Sequence, residues 1–390
     1  MGGSKRFRIN DIIVKDSVFY PYRKKVRTMK IFLSGYYGYD NLGDELIFAS
    51  VLKFFENVDH YVELYLPYPK KEPGVKTSLK IHLLPRYDLL SIMKAVHHSD
   101  LVISGGGALL QDETSYRSFV YYTLPIRLGI RWKKHIVILG QSIGPLKKRR
   151  SLAVIKKIMK YKRITAILRD KRSFEFIKDI SVYKENIFLG TDLIFLFPCK
   201  YPKEQKENPR NLVVIPHVST DWQKKERREF VEKIGNIIDV LLSGKYNQII
   251  FLPFQRGKDE RLCDEIFMSL KPRTRSLTYV EKTVNTDKTI RNASFVVSSR
   301  LHGVLLSILY EVPFLALSNQ PKIKNFVTEN FSCSLVYPAV EFDPVEVAKE
   351  IERTNESNRK GTIASVRTKL EKRAERMMKL MSTFLNSISD

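Results

Sequence analysis

From Met29 onward the chain alternates short β-branched or apolar runs with amphipathic stretches, and glycine-containing joints fall between the two. That alternation predicts parallel sheets covered by helices, an α/β fold throughout. Strands are expected at 30–34, 101–104, 135–139 and 166–168, then at 211–216, 248–252, 295–298 and 314–317, which implies two similar sheets. Between them FPCKYPKEQKENPRN sets three prolines among charges without periodicity, as a linker does. The expected domains are an N-terminal extension over 1–28, a first α/β domain over 29–197, a linker over 198–210, a second α/β domain over 211–338 and a helical segment over 339–390.

In that last segment Ile363, Val366, Leu370, Ala374, Met377, Met381, Phe384 and Ile388 recur at steps of three and four, a long amphipathic helix with Arg367, Lys369, Lys372, Arg373, Arg376 and Lys379 on its other faces. Such a helix either packs across a domain or lies on anionic lipid.

Charge sharpens the picture. Subtracting 42 Asp and Glu from 67 Lys and Arg leaves +25 over 390 residues, which favours anionic partners: nucleic acid, phosphorylated metabolites or an acidic membrane surface. The densest run, 147–172, carries twelve Lys or Arg and one acid, Asp170, while Leu152, Ile155, Ile158 and Met159 form a helical apolar stripe that turns the charge outward. No zinc-finger spacing, aromatic RNA-binding pair or recognition-helix motif accompanies it, so nucleic acid is not the expected partner. Three separated cysteines exclude a legible disulfide framework or Cys-based zinc site, and fit a reducing compartment. No apolar run reaches the length of a spanning helix and no signal core follows the basic N-terminus, so the protein is expected to be cytoplasmic, with a peripheral position on the inner face of the plasma membrane as an extension of that reading.

Four strand-to-helix joints carry candidate chemistry, because ligands of open α/β sheets bind outside the carboxyl ends of strands. In GYYGYDNLGDELI, Asn41 and Asp44 either cap a helix or hold a hydroxyl. It is neither a dinucleotide fingerprint nor a phosphate loop. In VISGGGALLQDETS, Gly105, Gly106 and Gly107 suggest close approach to a ligand or a neighbouring backbone, and Gln111 and Asp112 follow; Asp112 is a candidate base or a surface cap. ILGQSIGP offers Gln141 and Ser142 to a sugar or to the loop backbone. SFVVSSRLHGVLL combines Arg300, His302 and a helix N-terminus, a fork for carboxylate or phosphate beside a proton carrier.

The ordered set GYYGYDNLGDE, SGGGALLQD, GQSIGP, ILRD, GTD and SSRLHG resembles the polysaccharide pyruvyltransferases, in particular the cell-wall, S-layer-anchoring CsaB-type branch. That resemblance, over about 29–327, implies two Rossmann-like domains in a GT-B arrangement. It implies phosphoenolpyruvate as co-substrate, no cofactor, and a sugar acceptor such as N-acetylmannosamine in a lipid-diphosphate-linked polysaccharide precursor. The product is then a pyruvate ketal. By the family pattern Arg300 and the backbone of Leu301, His302 and Gly303 hold the donor, His302 acts as general acid, and Arg169 supplies a second cation or else pairs with a neighbouring carboxylate. Asp112 accepts a proton from, or orients, the acceptor hydroxyl, and Lys322 touches donor phosphate or is a solvated lysine. The chain departs from the family at VVIPHVSTDW, where Pro216, His217 and Val218 replace a Ser-x-Arg pattern, and His217 either substitutes in the cleft or, the preferred reading, is a loop histidine. No metal constellation is legible among the seven histidines. Two rival readings stay open: a nucleotide-sugar-dependent GT-B glycosyltransferase, and a non-enzymatic basic protein that binds nucleic acid or membrane.

Overall fold

The computed structural model describes residues 28–196, 211–218, 222–242, 246–270, 277–279, 286–331, 335–354 and 358–388. The expected linker and nearly all of the N-terminal extension lie outside these residues.

The chain divides into two compact units. The first is built from β1 (Thr28–Ser34), α1 (Leu42–Glu56), β2 (Tyr61–Tyr68), β3 (Lys80–Pro85), α2 (Leu89–His98), β4 (Leu101–Leu110), α3 (Tyr116–Arg131), β5 (His135–Ile143), α4 (Arg149–Ile158), β6 (Ile164–Leu168), α5 (Lys171–Ile180) and β7 (Ile187–Leu189). Its strands are all parallel, in the order β3-β2-β1-β4-β5-β6-β7. Central strands such as β1 and β4 are covered on both faces, which is why they read as continuous apolar runs. Ile92, Phe119, Ile155 and Ile177, one from each of α2, α3, α4 and α5, join a single core cluster with Val102, Ile138 and Ala166 of the sheet, so these four helices form one layer. Local chemistry starts three of them: Asp88, Ser115 and Asp170 each accept a hydrogen bond from the amide three residues on.

The second unit contains β8 (Asn211–Ile215), α6 (Lys224–Leu242), β9 (Gln248–Phe251), α7 (Asp259–Leu270), β10 (Leu277–Tyr279), α8 (Thr286–Arg291), β11 (Phe295–Ser298), α9 (Leu301–Leu309), β12 (Phe314–Leu317), α10 (Pro321–Asn330), β13 (Val336–Tyr337) and α11 (Pro344–Thr354). Its parallel order is β10-β9-β8-β11-β12-β13, the Rossmann order. The segment Asp40–Gly43 belongs to this unit by its contacts, and residues from Leu370 onward belong to the first, so both assignments cut across the expected domain limits.

One element differs from the sequence reading and two decide between alternatives that it left open, each for a physical reason. β4 does not stop before the glycines: it runs to Leu110 and pairs Gly105 with Leu139 and Gly107 with Gln141, with a register shift that the flexible backbone absorbs. α1 starts at Leu42, so Asp44 stands inside its first turn and is not its N-cap. The long helix α12 (Asn358–Ser387) buries Ile363, Val366, Leu370, Ala374, Met377 and Met381 against the protein, and Met377 Sδ accepts from the Thr191 amide, so its apolar stripe is not a lipid-facing one. No helix among the described residues is long and apolar enough to cross a membrane.

Candidate active site

In the second unit the chain departs from β8 and β11 toward opposite edges of the sheet, which opens a crevice between their carboxyl ends. His217 follows β8 there and Arg300 follows β11. The Ser298 hydroxyl fixes the turn by donating to the Arg300 carbonyl (2.8 Å) and accepting from the Arg300 amide (3.1 Å), leaving Arg300 as the extended N-cap of α9. Its guanidinium donates through Nε and Nη2 to the two oxygens of Asp259, at 2.9 and 2.7 Å, and through Nη2 to Gln255 Oε1 at 3.1 Å.

Asp259, at the start of α7, is 1% exposed and also accepts from the amides of Phe254 and Gln255 and stands 3.0 Å from His217 Nδ1. Burial opposes its ionisation, but His217 and Arg300 more than offset that and hold the carboxyl below its usual range. For His217 burial dominates and lowers the pKa; Asp259 opposes the shift, while Arg300 and Lys322 reinforce it. A neutral His217 beside an ionised Asp259 must carry its proton on Nδ1, which leaves Nε2 with the lone pair. The histidine read as a loop residue is therefore a member of the cluster.

In the first turn of α9 the Gly303 and Val304 amides donate to the Arg300 carbonyl, at 3.1 and 3.3 Å, so the Gly303 amide expected to hold the donor is already committed. The Leu301 side chain is buried in the core. Gly303 is required by packing: a Cβ there would stand 2.2 Å from Ser298 Oγ and 2.8 Å from Ile215 Cδ1. Within the same unit the Leu42 amide donates to the Phe254 carbonyl, Asn41 bridges to Gln255, and a Cβ on Gly43 would lie 2.0 Å from His302 Nδ1. The imidazole of His302 thus rests on the backbone of Gly43. Lys322, exposed on the first turn of α10, acts on His217 through its charge.

In the first unit the corresponding crevice lies between the carboxyl ends of β1 and β4. The buried Tyr37 hydroxyl donates to the Gly105 carbonyl (2.8 Å), and burial followed by the charge of Asp44 raises its pKa well above the usual phenol value. Gly106 has φ +67° and a Cβ there would meet Ile47 Cγ2 at 2.2 Å, so this glycine lets α1 approach the strand. Gly107, at φ +76°, faces Asp44, with Oδ1 3.5 Å from an ideal Cβ. Gln141 is fully buried; its Nε2 donates to Ser104 Oγ (2.6 Å), and its Oε1 has no hydrogen-bond partner among the described residues. Arg169 donates Nε to Ser142 Oγ (2.6 Å) and Nη1 to the buried Asp192 (2.8 Å). The carboxylate that pairs with it is Asp192 of the GTD motif. Gln111 closes a local turn on Thr114. Both oxygens of Asp112 accept from backbone amides, those of Lys147 (2.6 Å) and Lys148 (2.9 Å); burial opposes ionisation, but the neighbouring Ser151 hydroxyl together with these bonds more than offsets it and lowers its pKa. The carboxylate clamps the loop that starts α4.

The structure therefore brings Arg300, His302 and Lys322 together with His217, Asp259 and Gln255 in one unit, and Gly107, Asp44, Gln141, Ser142 and Arg169 at strand ends of the other. The sequence reading missed Asp259 and Gln255, although FQRGKDE follows an expected strand and opens a helix. It also missed Arg86, 7% exposed, which donates to Tyr122 (2.5 Å) and lies under the rings of Tyr39 and Tyr121 with no carboxylate partner among the described residues. The described residues contain no group of three His, Cys, Asp or Glu arranged to hold a metal.

Two Rossmann-like units with charged clusters at their strand ends are the parts of a GT-B fold. The family model for polysaccharide pyruvyl transferases matches residues 41–321, and the chain belongs to that family. No curated protein matches it significantly. Among solved structures it is similar to Staphylococcus aureus MnaA in its co-structure with UDP, at 11% identity, TM-score 0.62, covering 93% of this chain and 98% of the other. The UDP-GlcNAc 2-epimerase from Methanocaldococcus jannaschii follows at 11% identity, TM-score 0.59, with 92% and 100% covered. Anabaena Alr3699/HepE in complex with UDP and glucose gives 13% identity, TM-score 0.57, with 92% and 100% covered.

Proposed function

We propose that the protein transfers the pyruvate unit of phosphoenolpyruvate to a sugar and forms a ketal. The acceptor is N-acetylmannosamine or a related sugar of a lipid-diphosphate-linked cell-wall precursor, as in the CsaB-type branch, and the reaction takes place at the cytoplasmic face. The observation that carries this reading is the family match, which spans both strand-end clusters except Lys322.

The donor places a carboxylate and a phosphate on three carbons, and the second-unit cluster supplies complementary charge. Arg300 is held by Asp259 through Nε and Nη2, so Nη1 is the edge it offers to the donor. The α9 amides and Lys322 add positive potential. His302 gives a proton to the methylene carbon, C2 becomes electrophilic, and a sugar hydroxyl adds there. Phosphate leaves as the C2–O bond breaks, and a second hydroxyl closes the ketal. Two hydroxyl protons are released: one balances the proton gained by the methyl group, the other leaves with phosphate or solvent. His217, neutral and oriented by Asp259, is the group suited to accept a hydroxyl proton. Asp112 stays outside these transfers, since its oxygens are committed to the loop. In the first unit Ser142 is suited to a sugar hydroxyl, with Arg169 holding it in place, whereas Gln141 is fully buried and supports the strand ends through Ser104.

A second reading has specific support: the similar solved structures include a UDP-GlcNAc 2-epimerase and proteins in complex with UDP, or with UDP and glucose, which favours a nucleotide-sugar-dependent glycosyltransferase. The test is phosphate release from phosphoenolpyruvate with a synthetic lipid-diphosphate disaccharide ending in N-acetylmannosamine, beside Arg300→Ala and His302→Ala. Acceptor-dependent release that disappears in both variants, with a product heavier by one ketal pyruvate, supports the pyruvyl reading. Turnover of a UDP-sugar without use of phosphoenolpyruvate replaces it with the second.

A further inference from the structure

The helices α2, α3, α4 and α5 form one layer, and each follows a parallel strand, so their four N-termini line up along the carboxyl edge of the first unit. Helix N-termini ordinarily gather acids, because the dipole is positive there. Here no acid stands in the first turn of any of the four. α4 opens with Lys148, Arg149 and Arg150 and has no side-chain cap, α5 opens with Lys171 and Arg172, and α3 carries Arg117, all six exposed. The Asp88 and Asp170 carboxylates are engaged as caps. Cations placed against the dipole cost folding free energy, so an anion outside the protein is the natural complement of this edge.

The α2 end of the same edge is apolar. Tyr87 is 77% exposed, Leu89 52% and Leu90 70%, and Met93 follows one turn later. Tyr87 packs edge-on against Tyr121, and Tyr121 covers the buried Arg86. Side chains of this size, contiguous and exposed beside a row of cations, match a boundary at which hydrocarbon meets phosphate.

We infer that the carboxyl edge of the α2–α5 layer is a docking surface for an anionic lipid bilayer, with Leu89, Leu90 and Met93 entering the interface and the cations at the starts of α3, α4 and α5 meeting lipid phosphate. Because the strand ends of the first unit open on this edge, docking delivers a lipid-anchored acceptor to them; that consequence rests on the proposed function, whereas the docking itself does not.

The test is co-sedimentation of the full chain with phosphatidylcholine vesicles that contain phosphatidylglycerol, against vesicles of phosphatidylcholine alone, without substrate. The wild type is expected to bind the anionic vesicles and to be released by salt. Leu89→Ser/Leu90→Ser and, separately, Arg149→Glu/Lys171→Glu are each expected to weaken binding by about tenfold or more, while Lys225→Glu/Arg228→Glu on α6, with the same change of net charge, binds as the wild type. Thermal unfolding checks integrity, and the reversals at helix starts should not lower the midpoint, since they favour the dipole. No vesicle binding by the wild type, equal loss in the α6 control, or full binding by both edge variants overturns the inference. Turnover with a water-soluble acceptor, measured on the same variants, reports on the pyruvyl reading independently.

Discussion

Arg300 and Asp259 share two hydrogen bonds, Nε to Oδ2 at 2.9 Å and Nη2 to Oδ1 at 2.7 Å, so the cation expected to grip the donor is itself gripped from behind. Removing the buried partner leaves the guanidinium without its counter-charge. Asp259→Asn is expected to lower stability by about 3 kcal/mol, read from denaturant midpoints. It should also lower the His217 pKa further, since the carboxylate is what opposes its fall, and an NMR titration of the ring that does not move would contradict the pairing.

The depressed pKa of His217 gives stability a pH dependence of definite sign. The unfolded chain takes up a proton near the ordinary value of about 6.5, while the folded one resists it. Stability is therefore full above that value and falls as pH drops from about 6.5 toward the lower folded pKa. His135, lowered by burial and by Arg163, acts in the same direction. Unfolding midpoints followed across this range should flatten in His217→Gln, in part rather than wholly.

The glycines of β4 are not equivalent. Gly106→Ala forces a Cβ into Ile47 at a positive φ, and a loss of about 3 kcal/mol is expected. At Gly107 the backbone strain stands alone, so Gly107→Ala should cost about 1 kcal/mol. Equal losses in chemical denaturation would show that the contact with α1 is not what distinguishes them.

Arg169 and Asp192 are both buried, and each is the other's ion-pair partner. Arg169→Leu is expected to cost about 3 kcal/mol because a buried carboxylate is stranded, and Arg169→Leu/Asp192→Leu should recover most of that. A double mutant no more stable than the single would place the role of Arg169 outside this pair.

The local pattern was enough for the two parallel α/β sheets, because buried central strands announce themselves as apolar runs and each is followed by an amphipathic stretch. SSRLHG was likewise legible, since a cation and a histidine at a helix start after a strand need no distant partner to be noticed. Five strands were not: β7, β10 and β13, because two or three residues leave no periodicity to read, and β2 and β3, where partial exposure mixes polar residues and prolines into the run. Asp259 stands 41 residues before Arg300 in the chain, and only the sheet order, which sets β9, β8 and β11 side by side, brings it beneath the guanidinium and turns His217 from a loop residue into its neighbour. Asp112 was ambiguous by sequence for the converse reason: whether a carboxylate meets a substrate or two backbone amides depends on a loop that returns 35 residues later. Composition fixed an excess of positive charge, but which face carries it was decided by the stacking of four helices in one layer, because helix direction in a parallel sheet follows strand direction and gathers every N-terminus on one edge.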